Sequence, residues 1–120
     1  MRSNLSKSIE SASDNETSEV EVEAKLWQDF KSGDAASFAL IYQKFFPVLF
    51  SYGHQACHDT EMVKDCIQDL FVYIWNHRST LSATNSIKFY LWVALKRRIH
   101  RAMAQQQQNS SPEEVHLLAI

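Results

Sequence analysis

The sequence predicts an all-α protein, a small bundle of about four helices. Gly and Pro number only two each in 120 residues, too few for the turn about every 8–12 residues that all-β architectures need. Apolar residues recur at spacings of three and four over three long segments, the period of a helix with one buried side. Every Trp, Tyr and Phe lies between Trp27 and Trp92, which confines the packed core to that span. The length suits one domain.

Residues 1–23 have no aromatic side chain, six Ser, and an acidic run from Glu10 to Glu23 without Lys or Arg. Such a stretch cannot bury enough apolar surface to offset the entropy of ordering it, so it is expected to be a disordered tail. A short helix from about Ala24 to Lys31 should follow, stopping before Gly33. Phe38, Ile41, Tyr42, Phe45, Phe46, Leu49 and Tyr52 then line one side of a helix for which Asp34 is the expected N-cap. Pro47 lacks an N–H and its ring crowds the Gln43 carbonyl, so a kink or restart is expected there.

The cleanest periodicity is Val63, Cys66, Ile67, Leu70, Phe71, Ile74 and Trp75, with Asp59 placed to cap its start. The last helix should begin after Thr84-Asn85-Ser86, capped by Ser86 or a neighbour, and run to about Ala104. Ile87, Leu91, Ala94, Leu95, Ile99 and Ala102 form its inner face. Residues 24–104 are therefore the expected domain. The run Gln105 to Ser111 reads as a polar linker. Ser111-Pro112-Glu113-Glu114 has the form of a new helix start, with a capping Ser, Pro at the first helical position and Glu three residues on.

The net charge of −2 is unevenly spread: residues 1–34 carry four basic and eight acidic side chains, whereas residues 84–120 carry five and two. All five of those cations lie within residues 88–101, where there is no acid. A polyanion is the natural partner of such a stripe. No apolar run approaches the roughly 18 residues of a membrane span, and no secretory leader is evident, so a cytoplasmic protein is expected. Cys57 and Cys66 are too few and too widely spaced for a disulfide framework; free thiols are expected.

Two surfaces stand out. Lys88, Phe89, Trp92, Lys96, Arg97, His100 and Arg101 project from the last helix outside its core stripe. Mixed rings and cations suit single-stranded nucleic acid, the cations meeting phosphates and the rings unstacked bases. The same pattern would also arise if the rings packed on a neighbouring helix and the cations served solubility. On the preceding helix, Asp65, Gln68 and Asp69 form a polar strip, either a solvated face or a docking surface for a basic partner helix. His54, Cys57, His58 and Cys66 could share a metal, but they lack metal-site spacing and Cys66 belongs to the core stripe; no metal or other cofactor is expected. No phosphate loop, nucleophile elbow or nucleophile-base pair is present, so an enzyme is not expected.

Asp65-Cys66-Ile67-Gln68-Asp69-Leu70-Phe71-Val72-Tyr73-Ile74-Trp75 resembles the D-[LI]-[VI]-Q-[ED]-x-F-x-x-x-W signature of region 2 in bacterial sigma factors of the extracytoplasmic-function type. Upstream, Phe38, Tyr42 and Pro47 to Tyr52 are similar to the family's preceding helix. Downstream, Tyr90-Leu91 and Ala94-Leu95-Lys96-Arg97 fall where the family has W-L or Y-L and I-A-R-N. The resemblance covers about residues 24–104.

It implies a helical transcription initiation domain without covalent chemistry. Asp65, Gln68 and Asp69 would meet basic side chains on the clamp helices of the largest subunit of RNA polymerase core, with Phe71 and Trp75 holding the helix in place. Residues Leu81 to Ser86 would capture a flipped base of the promoter minus-ten element. Lys88, Phe89, Trp92, Lys96, Arg97 and Arg101 would contact promoter DNA. An anti-sigma factor is a further candidate partner. Arg97 replaces the family's usual Asn, and Arg101 and Ala104 stand where the family has D-x-x-R, which leaves base preference open and strengthens phosphate attraction. The family's second DNA-reading domain, region 4, is missing, so the chain is expected to be a region 2 fragment. The alternative is a helical regulator that keeps the polymerase-binding face but does not recognise promoters.

Overall fold

The computed structural model describes residues 19–109. Four α-helices and one 3-10 turn make up the fold: α1 over residues 19–31, α2 Ala35–Ala56, α3 Thr60–Asn76, the turn Arg78–Thr80, and α4 Ile87–Asn109. The described residues contain no strand.

Each expected cap is in place. The Asp34 carboxylate accepts from the Ala36 N–H at 3.2 Å and from the buried Ser37 hydroxyl at 2.6 Å. That of Asp59 accepts from the Met62 N–H at 3.1 Å, and the Ser86 hydroxyl accepts from the Phe89 N–H at 3.2 Å. Each removes one of the unpaired donors at a helix start. Gly33 closes α1 with φ of 102°, a left-handed conformation open to Gly at little cost. Its N–H donates to the Phe30 carbonyl at 2.9 Å.

Helices α2, α3 and α4 pack on one another and bury the stripes read from the sequence. Ile87, Leu91, Leu95 and Ile99 are all fully buried along α4, as are Val63, Ile67 and Leu70 along α3. Full burial of such a side chain is worth about 1.5–3 kcal/mol. At Gly53, α2 approaches both α3 and α4: an added Cβ would stand 2.8 Å from Val63 Cγ1 and 3.2 Å from Ile99 Cδ1. α1 lies against this trio through Trp27 and Phe30, both fully buried. Phe30 stacks on Phe38 at 5.6 Å, and Trp27 meets Tyr90 at 5.0 Å.

Three expectations about element limits change. α1 is already helical at residue 19, so residues 19–23 belong to the folded domain and not to a disordered tail. Its register carries Glu23 to the start of α4, where its carboxylate accepts from the Ile87 N–H at 2.6 Å. α4 runs through residues 105–109, which composition assigns to a linker; Gln is a good helix former, and no breaker precedes Asn109. Pro47 sits inside an uninterrupted α2. Pro47 and Gln43 both face solvent, so the carbonyl that the ring deprives of a partner can be hydrated. The remainder of the N-terminal tail, and the helix start at Ser111 to Glu114, lie outside the described residues.

Candidate functional site

α3 presents two different margins. Asp65, Gln68 and Asp69 are exposed on its outer face, and on the α2 side Gln68 borders an apolar groove of about 360 Å³ lined also by Phe38, Tyr42, Phe71, Val72 and Trp75. Val72 is 60 % exposed. Its apolar side chain outside the core stripe of α3 is the signal the sequence holds for this groove. Phe71 is buried and Trp75 half-buried, so both support α3 from within while their edges line the groove. A carboxylate and amide row beside a dry groove can receive a helix that offers cations and apolar side chains together.

Toward α4, the C-terminal half of α3 and the outer side of α4 enclose a second groove of about 470 Å³. Its cationic side is Arg97, Arg98 and Arg101; Tyr73, Phe89 and Tyr90 provide rings. Phe89 is 67 % exposed, its ring open to solvent where it lines the groove. The Arg98 guanidinium lies over the Tyr73 ring at 4.9 Å, and His77 stacks on the same ring, the two centroids 4.1 Å apart. Burial, and next the proximity of Tyr73, push the Tyr90 phenol up from its usual 10.0. Tyr73 and Arg98 were not among the expected contacts. Arg98 belongs to the basic run, and Tyr73 follows Val72 on the signature helix, but only the packing of α3 on α4 brings them together.

The six expected DNA contacts do not share one face. Phe89, Arg97 and Arg101 line the groove. Lys88, Trp92 and Lys96, at i, i+4 and i+8, lie on the adjoining flank, where Trp92 is half-buried and meets Tyr52 edge-on at 5.5 Å. Lys88 and Lys96 are exposed. At the entrance to α4, the loop from Leu81 to Ser86 has its first residue buried and Ser82, Ala83 and Asn85 open to solvent. Thr84 braces it: its hydroxyl donates to the Ser86 carbonyl and accepts from the Ser86 N–H, both at 3.1 Å.

The cysteines are free and buried. Cys57 Sγ donates to Met62 Sδ at 3.6 Å. The Cys66 thiol is pushed above its usual 9.0 by burial first and then by the charges of Asp69, Cys57 and Asp65, with Arg98 opposing. Among the described residues no three His, Cys, Asp or Glu side chains gather in a way that could hold a metal ion. None of the described helices is long and apolar enough to cross a membrane.

No curated protein and no solved structure matches the chain significantly. The family model for Sigma-70 region 2 matches residues 41–109, from the second turn of α2 to the end of α4. That span contains Asp65, Gln68 and Asp69, the groove between α3 and α4, the loop from Leu81 to Ser86, and the lining of the apolar groove apart from Phe38. By this match, over more than half of its length, the chain belongs to the sigma-70 region 2 family.

Proposed function

We propose that the chain is the promoter-melting domain of an initiation factor of the extracytoplasmic-function type. Asp65, Gln68 and Asp69 dock on the clamp helices of RNA polymerase core, and the adjacent apolar groove receives side chains from that partner. The loop from Leu81 to Ser86 and the groove between α3 and α4 hold unpaired bases and phosphates of the opened minus-ten strand. Phe89, Arg97 and Arg101 act in the groove; Lys88, Trp92 and Lys96 follow the strand along the adjoining flank. The domain carries no covalent step.

One observation supports this reading above the others: an exposed ring and three guanidinium groups share the groove on the α4 side of α3, apart from the apolar groove that Gln68 borders on the α2 side. Two partners of unlike charge can therefore be bound at once. The domain should bind DNA weakly by itself, because polymerase and captured bases stabilise the open strand jointly.

Co-purification with core polymerase, followed by capture of a fluorescent single strand carrying a minus-ten sequence, tests the proposal. Retention of the strand only when polymerase is present, with steep loss in salt, is the expected result. Binding to polymerase with no strand retained would leave the helical regulator as the better description.

A further inference from the structure

The loop from Leu81 to Ser86 is tied to a helix that the family match does not reach. Two hydrogen bonds, crossing 55 and 64 residues of sequence, connect it to α1. Trp27 Nε1 donates to the Ser82 carbonyl at 2.9 Å, and the Ile87 N–H donates to Glu23 Oε1 at 2.6 Å. Glu23 and Trp27 are four residues apart, one turn of α1, so a single side of that helix grips both ends of the loop. The match begins at residue 41.

The two anchors differ in kind. Trp27 is fully buried, its ring wedged between Phe30 at 5.2 Å and Tyr90 at 5.0 Å, so its N–H has little freedom to move away from Ser82. Glu23 is half-buried and places a carboxylate at the first turn of α4, where unpaired N–H groups and the helix dipole favour negative charge. With Leu81 buried at one end, Ile87 at the other and Thr84 bracing the middle, the exposed part of the loop is held in shape before any ligand arrives.

We propose that Glu23 and Trp27 are positioning residues that preset the loop and the first turn of α4 for single-stranded DNA. The inference rests on the function proposed above. A loop ordered in advance does not lose its freedom on binding, so the tethers act on affinity without touching the strand. α1 is thereby part of the DNA-reading unit.

The test compares the whole chain with Trp27→Phe, Glu23→Ala and Glu23→Gln. The probe is the fluorescent single strand that the polymerase-bound wild type retains best from a randomised pool. Trp27→Phe and Glu23→Ala should each weaken strand binding by about tenfold, the effect of one lost hydrogen bond. Glu23→Gln keeps an acceptor and should recover most of the loss, while affinity for core polymerase is unchanged in all three. Amide exchange should accelerate over residues 82–88 and stay slow in α2 and α3. Unchanged exchange in the loop, or faster exchange with strand affinity intact, would overturn the positioning role. A wild type that binds polymerase but retains no strand would overturn the function instead. Should Trp27→Phe loosen the core, the Glu23 pair decides alone.

Discussion

Trp92 meets Tyr52 edge-on, their ring centres 5.5 Å apart. The contact joins α4 to the end of α2 and holds the indole half-buried, whereas Phe89, one turn earlier, stands open to solvent. Two aromatic residues that look alike in the sequence thus have different surroundings. Trp92→Ala should lower stability by about 1–3 kcal/mol through lost apolar burial. Phe89→Ala should leave stability within about 0.5 kcal/mol and weaken strand binding by about 1–3 kcal/mol. Thermal melting and fluorescence titration in the presence of polymerase separate the two.

Arg97 and Arg101 are exposed along one side of the groove. Each phosphate that they neutralise adds about 0.7 to the magnitude of the slope of log affinity against log salt for a single strand. The double variant Arg97→Gln, Arg101→Gln should therefore flatten that slope by about 1.4. An unchanged slope would remove both from the interface.

Gln68 and Asp69 are exposed, and Gln68 borders the apolar groove. Replacing both by Ala should abolish retention by core polymerase while the melting temperature stays nearly constant, as expected for surface positions. Full retention of the double variant would remove the docking assignment.

Gly53 lies where α2 approaches both other helices. With a Cβ only 2.8 Å from Val63 Cγ1, Gly53→Ala should cost about 1–3 kcal/mol, because the neighbours must shift. Differential scanning calorimetry measures it.

Burial and nearby carboxylates raise the Cys66 thiol above 9.0. The folded state then holds this proton more tightly than the unfolded chain does. The stability from keeping Cys66 neutral is complete below the unfolded value and is lost as pH rises above about 9 toward the higher folded value. Cys66→Ala should flatten the fall in melting temperature as pH rises above about 9. A slope identical to wild type would sink the assignment.

Much of this fold is legible in the sequence because its signals are local. The carboxylate of Asp59 reaches an N–H three residues on, and the stripe from Ile87 to Ile99 repeats every four residues; both can be read without knowing any neighbour. The start of α1 is not legible that way. Val20 and Val22 are 51 % and 67 % exposed, so no apolar stripe marks residues 19–23, and the acidic composition points to a tail. Glu23 is needed by a backbone N–H far along the chain, a demand that no local pattern records. The site divides likewise. Phe89, Arg97 and Arg101 follow from residue type and helical spacing, whereas Tyr73 joins them only through the packing of α3 on α4, and Trp92 leaves them only through Tyr52.

Val72 and Tyr73 are consecutive, yet Val72 borders the groove on the α2 side and Tyr73 the one on the α4 side. Adding or deleting one residue between Asp65 and Tyr73 would turn everything after it by about 100° and misalign one margin whichever way the helix reseated. The length of that stretch is therefore set twice over, once by each neighbour, and substitutions there should be tolerated far more readily than any change in residue count.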